Sequence, residues 1–276
     1  MTLPPVTLIS APRATAQPID LGGESFLADP SGALIWPRRD TVLVADLHFE
    51  KGSAFARKGQ LLPPYDSLET LIRLEDLVAT WGPRRILCLG DSFHDRDGPA
   101  RLDPLDRQRL ARLVAAHDWI WITGNHDHGA AASLGGTVMD ELLEAGVALR
   151  HEAAAAAADE RLEISGHFHP KAILRVRGRR LSRRCFAGGR APCGRDRLVL
   201  PAFGAYAGGL NALDPAVTRL FAGGFDVWAT GDRAVHRLPS SRLDPDQSHV
   251  GGHRPSSGRA VQGAAVPGIT SDADEA

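Results

Sequence analysis

Five short clusters of acidic, amide and imidazole side chains are the part of this sequence best suited to chemistry. Their side chains offer carboxylate oxygens, an amide oxygen and imidazole nitrogens, and none of them offers a thiolate. Such donors suit Mn²⁺, Fe or Zn²⁺, and they fit a pair of cations better than a structural zinc site. The clusters are Asp46-Leu-His48, Gly90-Asp91-Ser-Phe-His94-Asp95, Gly124-Asn125-His126-Asp127, Arg150-His151-Glu152 and Gly166-His167-Phe-His169.

A short apolar run precedes each of the first three clusters. Residues 41–45, 85–89 and 118–123 have the length and the apolar or β-branched content of buried strands. Apolar residues recur at helical spacing over 67–81, and Asp103-Pro104 is typical of a helix N-cap followed by Pro. The resulting β-α-β-α-β order predicts parallel strands whose carboxyl ends present the clusters at one edge of a sheet.

The second half of the chain has strand-like runs that are joined by short turns. These runs predict a second sheet of mixed or antiparallel strands, which faces the first sheet across an apolar core. They lie at 147–150, 161–165, 172–176, 198–200, 225–229 and 234–238. We therefore expect one domain over residues 1–239. Residues 240–276 have few large apolar side chains and predict a disordered C-terminal tail.

The composition excludes several classes of protein. With 276 residues, 43% hydrophobic and 24% charged, the chain is an ordinary globular protein. Its apolar runs are far shorter than the roughly 20 residues that cross a bilayer, and we expect no membrane association. The three cysteines form no C-x-x-C pair, which argues against a disulfide framework and a thiolate zinc site. We expect a cytoplasmic protein.

The order D-x-H, G-D, G-N-H-D, H and G-H-x-H resembles that of the calcineurin-like metallophosphoesterase superfamily. Longer stretches are similar to the ligase-associated, DNA-damage-response metallophosphoesterases called PdeM. These stretches are DLHFEKGSAFARKGQLLPPYD at 46–66, LGDSFHD at 89–95, GNHD at 124–127, SGHFHPKA at 165–172 and LPAFGAYAGGLN at 200–211. The resemblance implies an α/β (α+β) fold, a four-layer αββα sandwich of two facing mixed sheets.

The same resemblance implies a site for two divalent metal ions. Carried over by motif, Asp46, His48 and His169 hold one ion, Asn125, His151 and His167 hold the other, and Asp91 bridges the two. Such a pair of cations activates a shared water for in-line attack on phosphorus and stabilises the charge on the phosphoryl oxygens. Mn²⁺ is the ion we expect, with Fe and Zn²⁺ as alternatives.

His126 lies next to a predicted ligand but has a different predicted role. It resembles the imidazole that contacts the phosphate and protonates the leaving oxygen, a task for a group that titrates near neutral pH. A hydrogen-bonding role beside the metals is the alternative. In several relatives a carboxylate three residues after the bridging Asp orients this imidazole. Here that spacing falls on His94, and the carboxylate comes one residue later as Asp95, so the roles of both stay open.

A strongly basic segment follows the last cluster. Residues 171–197 contain ten basic residues and one acidic residue, although the formal charge of the whole chain is −1. This segment is either arginine-rich composition alone or a surface that binds nucleic-acid phosphates, and its start two residues after His169 favours the surface. The candidate nucleic-acid contacts are Lys51, Lys171, Arg175, Arg177 and Arg179. The last three alternate along a predicted strand and are expected on one face.

The leading functional prediction is a metal-dependent phosphodiesterase that acts on nucleic acid. The PdeM likeness implies a DNA endonuclease in repair, with DNA as its substrate and a DNA ligase and a helicase as functional associates. One alternative is a small-molecule phosphoesterase that cleaves a cyclic nucleotide, a nucleotide diphosphate or a phosphomonoester. A non-catalytic scaffold is the alternative of another class. It predicts missing ligands, whereas all seven ligand positions and His126 are present.

Overall fold

Two mixed β-sheets face each other across a shared apolar core. The computed structural model of the chain describes residues 15–126, 130–155 and 159–246. Both sheets lie in the unit that ends at Asp246. The predicted arrangement of two facing mixed sheets is confirmed.

The first sheet contains the strands that precede the first three clusters. Within the described residues it has seven strands in chain order, with β1 to β4 antiparallel and β4 to β7 parallel. Their bounds are β1 Gln17–Leu21, β2 Glu24–Ala28, β3 Leu34–Trp36, β4 Thr41–Ala45, β5 Arg85–Leu89, β6 Asp118–Ile122 and β7 Thr137–Met139. The predicted strands at 41–45 and 85–89 match β4 and β5, and the prediction at 118–123 runs one residue beyond β6.

Most of the helices connect consecutive strands of the first sheet along the chain. Their bounds are α1 Lys51–Ala56, α2 Asp66–Trp81, α3 Gly98–Arg101, α4 Pro104–Ala116 and α5 Pro215–Thr218, with short 3-10 turns at Pro37–Arg39, Ala130–Leu134 and Ser240–Arg242. The predicted cap of α4 is present, since the Asp103 side chain accepts a hydrogen bond from the backbone N of Leu105. The helix predicted over 67–81 begins one residue earlier, at Asp66.

The second sheet is built from the second half of the chain. Its order in the described part is β15-β14-β12-β13-β10-β9-β8, and β11 pairs only with one end of β12. The bounds are β8 Glu141–Glu144, β9 Val147–Arg150, β10 Leu162–Ser165, β11 Lys171–Val176, β12 Arg179–Arg190, β13 Asp196–Val199, β14 Asp226–Thr230 and β15 Val235–Pro239. The neighbours β9, β10 and β13 are parallel, and the other pairs are antiparallel.

Three apolar clusters account for the layers of the sandwich. The first lies between the sheets and joins residues such as Leu43 and Ile164, which are fully buried. The second packs α2 and α4 on the outer face of the first sheet. The third covers the outer face of the second sheet with α5 and loops, so this outer layer is thinner than the first. No helix of the described residues is long and apolar enough to cross a membrane.

The C-terminal boundary of the domain lies later than predicted. Residues 240–242 form a 3-10 turn, Leu243 is buried in the third cluster, and the backbone N of Asp244 donates to the carbonyl of Ile173. The tail predicted from residue 240 is therefore wrong for 240–246, because a buried leucine, backbone hydrogen bonds and ion pairs with Arg175 and Arg180 hold this segment on the sheet. Residues 247–276 lie outside the described residues.

Candidate metal centre

All seven predicted ligands lie at the carboxyl ends of strands from both sheets. Each follows its strand directly or within a few residues: Asp46 and His48 after β4, Asp91 after β5, Asn125 after β6, His151 after β9, and His167 and His169 after β10. Since β4, β5 and β6 are parallel, as are β9 and β10, each sheet presents its ligands at one edge. The facing sheets bring the two edges together.

Asp46, His48 and His169 form the first group. The Nε2 atoms of His48 and His169 lie 3.4 Å apart, and Oδ1 of Asp46 lies 3.2 Å from Nε2 of His169. One candidate ligand atom from each residue falls within 4.8 Å of the other two. These are the three residues that the motifs assign to one ion.

Asp91, His151 and His167 form the second group, with Asn125 beside them. The Oδ1 atom of Asn125 lies 2.8 Å from Nε2 of His151 and 3.1 Å from Nδ1 of His167. The Oδ2 atom of Asp91 lies 3.4 Å from the same His151 nitrogen. Four donors therefore converge, and they include the three that the motifs assign to the second ion.

The predicted ligand atoms are better satisfied by a bound cation than by hydrogen bonds to one another. Oδ1 of Asp46 and Nδ1 of His48 are buried and have no hydrogen-bond partner among the described residues. A buried carboxylate oxygen without a partner is costly, whereas a cation would satisfy it. Nδ1 of His151 lies 3.2 Å from the carbonyl of Leu89, an arrangement that leaves Nε2 free to coordinate. The residues present thus fit divalent ions.

The histidines of the two groups differ in their protonation. Burial lowers the pKa of His48 to about 3, which keeps its imidazole neutral and competent to coordinate. Burial alone would also lower the pKa of His151, but the carboxylates of Asp91 and Asp46 outweigh it and raise that pKa to about 9. A cation that binds His151 must therefore displace a proton.

Asp91 acts electrostatically on both groups. Its charge raises the pKa of His48 in the first group and of His151 in the second. Burial would raise the pKa of Asp91 itself, but His151 and the backbone N–H of His126 hold it well below its usual range. A carboxylate that stays ionised beside both groups is suited to the bridging role that the motifs assign to it.

Five of the predicted ligands have left-handed backbone conformations. The φ angles of Asp46, His48, Asp91, His167 and His169 lie between 43° and 68°. Residues other than Gly adopt this backbone region at a cost in free energy, and such residues concentrate at functional sites. The chain turns sharply at these residues, and the turns bring the side chains into the two groups.

Two glycines make room for ligands that come from other strands. A Cβ atom on Gly124 would lie 2.2 Å from Oδ1 of Asp91, and one on Gly166 would lie 2.5 Å from Oδ2 of Asp46. The glycines of the G-N-H-D and G-H-x-H motifs are thus required by close packing across the site.

His126 lies at the open side of the groups. Its backbone N donates to Oδ1 of Asp91 at 2.9 Å, while its side chain is 45% exposed. The ring stacks on that of His94, with centroids 5.6 Å apart. Its neighbour Asp127 lies outside the described residues.

The structure separates the roles of His94 and Asp95. The Asp95 carboxylate accepts two hydrogen bonds of 2.9 Å from the guanidinium of Arg101, which also donates to Ser53. His94 instead lines the cleft beside His48 and His126. Asp95 is therefore held by Arg101, and His94 is the one of the two that lines the cleft.

The groups open into a cleft of about 510 Å³. Lys51, the first residue of α1, lines it from the first half of the chain, and burial lowers the pKa of its ammonium group. Glu152 lines it as well, with a carboxylate oxygen 3.8 Å from Nε2 of His167. Arg219, directly after α5, lines it from the second half. Nothing in the spacing of the motifs indicated Arg219.

The predicted face of Arg175, Arg177 and Arg179 is wrong. Val176 pairs with Arg179, and the two residues between them have φ angles of 50° and 77°, so a tight hairpin turn reverses the chain there. Arg175 lies opposite Arg180, whereas Arg179 belongs to the other face. A sequence signal was present, since Arg177-Gly178 is a turn pair, but the alternating arginines obscured it.

The rest of the basic segment divides into three kinds of arginine. Those at the hairpin, such as Arg179 and Arg183, are exposed. Arg184 is directed inward, where it donates to the carbonyls of residues 203–205. Arg195 and Arg197 are buried. The net charge of the segment therefore overstates the charge of its surface, and Lys171 is only partly exposed.

The buried arginines surround one carboxylate beneath the loop of His151. Glu163 is fully buried and pairs with Arg150, Arg195 and Arg197. It also accepts a hydrogen bond of 3.1 Å from the backbone N of Ala154. This cluster fixes residues 150–154, and no pattern in the sequence indicates it.

Residues 40–185 match the family model described as calcineurin-like phosphoesterase, and the chain belongs to this family. Its members are metal-dependent hydrolases of phosphoesters, which agrees with the two groups of donors.

Among solved structures, the nuclease MPE of Pseudomonas putida is 26% identical to this chain, covering 81% of this chain and 100% of that one, with a TM-score of 0.61. The phosphoesterase Yfce of E. coli is 16% identical, covering 74% of this chain and 99% of that one, with a TM-score of 0.40. No match was found among curated proteins. The likeness to the P. putida nuclease is consistent with the resemblance to PdeM proteins.

Proposed function

We propose that the protein is a metal-dependent phosphodiesterase that cleaves nucleic acid, with DNA as its substrate and repair as its setting. The observation that carries this proposal is the convergence of two ligand groups in one open cleft with cationic side chains on its walls. A polyanion can approach such a cleft from outside. The similarity to a nuclease at 26% identity supports the same substrate class.

Two divalent ions held by the seven predicted ligands would supply Lewis-acid activation of water and charge neutralisation at the phosphoryl group. The protein contributes the arrangement of donors. Asp46, His48 and His169 would hold one ion, and Asn125, His151 and His167 the other. Asp91, which lies beside His151 and His167, would bridge the two. Mn²⁺ is the ion we expect there.

His126 supplies the proton for the leaving oxygen. Its exposed ring faces the cleft, and its backbone is fixed by the hydrogen bond to Asp91. The stacked ring of His94 restricts how far the His126 side chain can turn. An imidazole held in this way can deliver a proton to a substrate without itself coordinating a cation.

The cellular setting is part of the proposal. A cytoplasmic DNA-repair endonuclease would act beside a DNA ligase and a helicase, as the PdeM resemblance implies. Co-purification of the tagged protein from cells with damaged DNA would test these associations. Recovery of neither enzyme, in the presence of active nuclease, would contradict them.

The substrate is tested by comparing four compounds with Mn²⁺ present. These are a single-stranded oligonucleotide, the matching duplex, an aryl phosphodiester and an aryl phosphomonoester. We expect cleavage of an oligonucleotide and of the aryl diester, with the monoester much slower. Turnover of the monoester alone, or of the aryl diester without either oligonucleotide, would instead support the small-molecule alternative.

The variant Asp91→Asn is the matched inactive control for this comparison. An amide has nearly the same shape as the carboxylate but lacks the charge that two cations share. We expect turnover of every substrate to be lost together with bound metal, measured by elemental analysis. Full activity in this variant would contradict the two-metal assignment.

A further inference from the structure

Arg219 is a positively charged side chain at the cleft that has no role in holding the predicted metal ions. Its exposed side chain lines the cleft near His167 and His169. The guanidinium forms no hydrogen bond or ion pair with any residue in the described ranges. The exposed arginine of β11, Arg175, differs in this respect, because it pairs with Asp244 at 3.1 Å.

The backbone that carries Arg219 is firmly anchored. Its neighbour Leu220 is buried, and the carbonyl of Leu220 accepts a hydrogen bond of 3.0 Å from the buried Arg197. Two residues further on, the backbone N of Ala222 donates to the carbonyl of Arg190 at 2.8 Å. On the other side, Asp214 caps α5. A cation on such a fixed turn is presented to the cleft at little cost in backbone entropy.

The chemistry of the side chain indicates its ligand. A guanidinium stays charged at any physiological pH and binds phosphate with two parallel N–H donors. The scissile phosphate already has the two candidate metal groups and His126. A further cation at the cleft wall therefore corresponds to a second anionic group on the same substrate. In a nucleic-acid strand that group is the neighbouring phosphate.

We propose that Arg219 binds the phosphate next to the scissile one, so that the cleft takes two consecutive phosphates of a single nucleic-acid strand. This inference rests on the proposed nuclease function and makes it more specific. Lys51 lines the cleft from the first half of the chain and Arg219 from the second, so a bound strand has cationic contacts from both halves.

The test is a double-mutant cycle between Arg219→Ala and neutral phosphates. The substrates are oligonucleotides with one methylphosphonate, placed either 5′ or 3′ of a single cleavable phosphodiester. For the wild type we expect kcat/KM to fall about tenfold when the methylphosphonate occupies one of these positions, and Arg219→Ala to cause a similar fall with the unmodified strand. The two changes together should cost little more than either alone.

Two further variants serve as controls. Arg219→Lys keeps the charge but loses the paired donors, and we expect partial activity. Arg112→Ala removes an exposed arginine from α4, away from the cleft, and should leave kcat/KM unchanged. Turnover of the aryl diester, which has one phosphate, should be the same in the wild type and in Arg219→Ala.

Distinct outcomes separate this inference from the function on which it rests. If the wild type cleaves oligonucleotides but Arg219→Ala shows no coupling to either methylphosphonate position, the subsite is wrong and the nuclease function stands. An equal loss on the aryl diester would place Arg219 at the scissile phosphate or in the structural frame, which also overturns the inference. If the wild type hydrolyses only the aryl diester, both proposals fail.

Discussion

His126 is held by its backbone while its ring stays exposed, and this distinguishes it from the buried predicted ligands His48 and His151. Its side chain is 45% exposed, whereas that of His151 is 7% exposed. A residue that delivers a proton must reach the substrate, whereas His48 and His151 are enclosed among the other predicted ligands. The different exposures therefore match different roles.

Replacement of His126 tests this distinction. We expect His126→Ala to keep its bound metal but to lose roughly 10²–10⁴-fold in kcat on an oligonucleotide, the usual scale of general acid catalysis. The loss should shrink for aryl diesters with weakly basic leaving groups, because these leave without a proton. Elemental analysis and a series of aryl leaving groups provide the measurements.

His236 on β15 is exposed and offers a matched control, since His236→Ala should change neither property. Loss of metal from His126→Ala would mean that the residue supports the ligands. An equal loss of rate for all leaving groups would exclude proton donation.

The sequence allowed the ligand residues to be predicted because their chemistry is local. Each predicted ligand lies within a few residues of a recognisable strand, and the donor types alone indicated a metal site. The left-handed backbones at Asp46 and Asp91 could not be foreseen, because they result from packing between strands. The same is true of the Glu163 cluster, in which Arg197 is 34 residues away from its partner.

At the scale of elements, the hairpin of β11 and β12 has two faces with different charge. On one face Arg175 and Arg180 pair with Asp244 and Asp246 at 3.1 and 3.2 Å. Arg179 and Arg183 belong to the other face and have no ion pair with a described residue. Only the second face therefore has arginines that are available to phosphates without first leaving an acidic partner.

We expect the double change Arg179→Ala and Arg183→Ala to weaken binding of a single-stranded oligonucleotide and to flatten its salt dependence. Each lost phosphate contact reduces the slope of log affinity against log salt by about 0.7, so two lost contacts reduce it by about 1.4. Fluorescence anisotropy over a range of salt concentrations measures the slope. Hydrolysis of an aryl diester should be unaffected.

The matched control is the double variant Arg175→Ala and Arg180→Ala. It removes the same charge from the hairpin face whose arginines pair with Asp244 and Asp246. Its slope should change less than that of the other double variant. An unaltered slope after the loss of Arg179 and Arg183 would show that the hairpin does not bind nucleic acid.

Elements were predicted where apolar runs and turns agree. The strands β4 and β5 and the helices α2 and α4 have such patterns, and the structure confirms them. The long strand β12 was missed because its first half is polar and exposed, and its buried half contains Gly188-Gly189. These glycines face Trp228 and Phe225, so the aromatic partners fill the space that side chains would occupy.

At the scale of the whole molecule, the two ligand groups make stability depend on pH when metal is absent. The pKa of His151 is raised from 6.5 to about 9. Its contribution to the free energy of unfolding is therefore complete below pH 6.5 and is lost as the pH rises toward 9. The pKa of His48 is lowered from 6.5 to about 3, so stability is lost as the pH falls below 6.5. The metal-free protein should be most stable near pH 6.5.

Denaturant unfolding of the protein, stripped of metal by a chelator, between pH 5 and pH 9 tests this expectation. Bound Mn²⁺ should remove the alkaline loss, because the ion replaces the proton on His151. In the metal-free variant His151→Asn, the free energy of unfolding should no longer fall as the pH rises from 6.5 to 9. A metal-free stability that rises steadily up to pH 9 would contradict the assignment of charge to His151.

The guanidinium of Arg197 joins two stretches of chain that are distant in sequence. One of its nitrogens donates to the carbonyl of Ala154 and another to that of Leu220, and both bonds are 3.0 Å long. Both hydrogen bonds come from one side chain, which a buried ion pair with Glu163 holds in place. Residues 151–155 and 219–222 should therefore open as one cooperative unit with a common free energy. Amide hydrogen exchange should be faster in both stretches together in Glu163→Gln while α4 stays protected. The loop of the predicted ligand His151 and the turn that carries Arg219 would then be lost and regained in a single event.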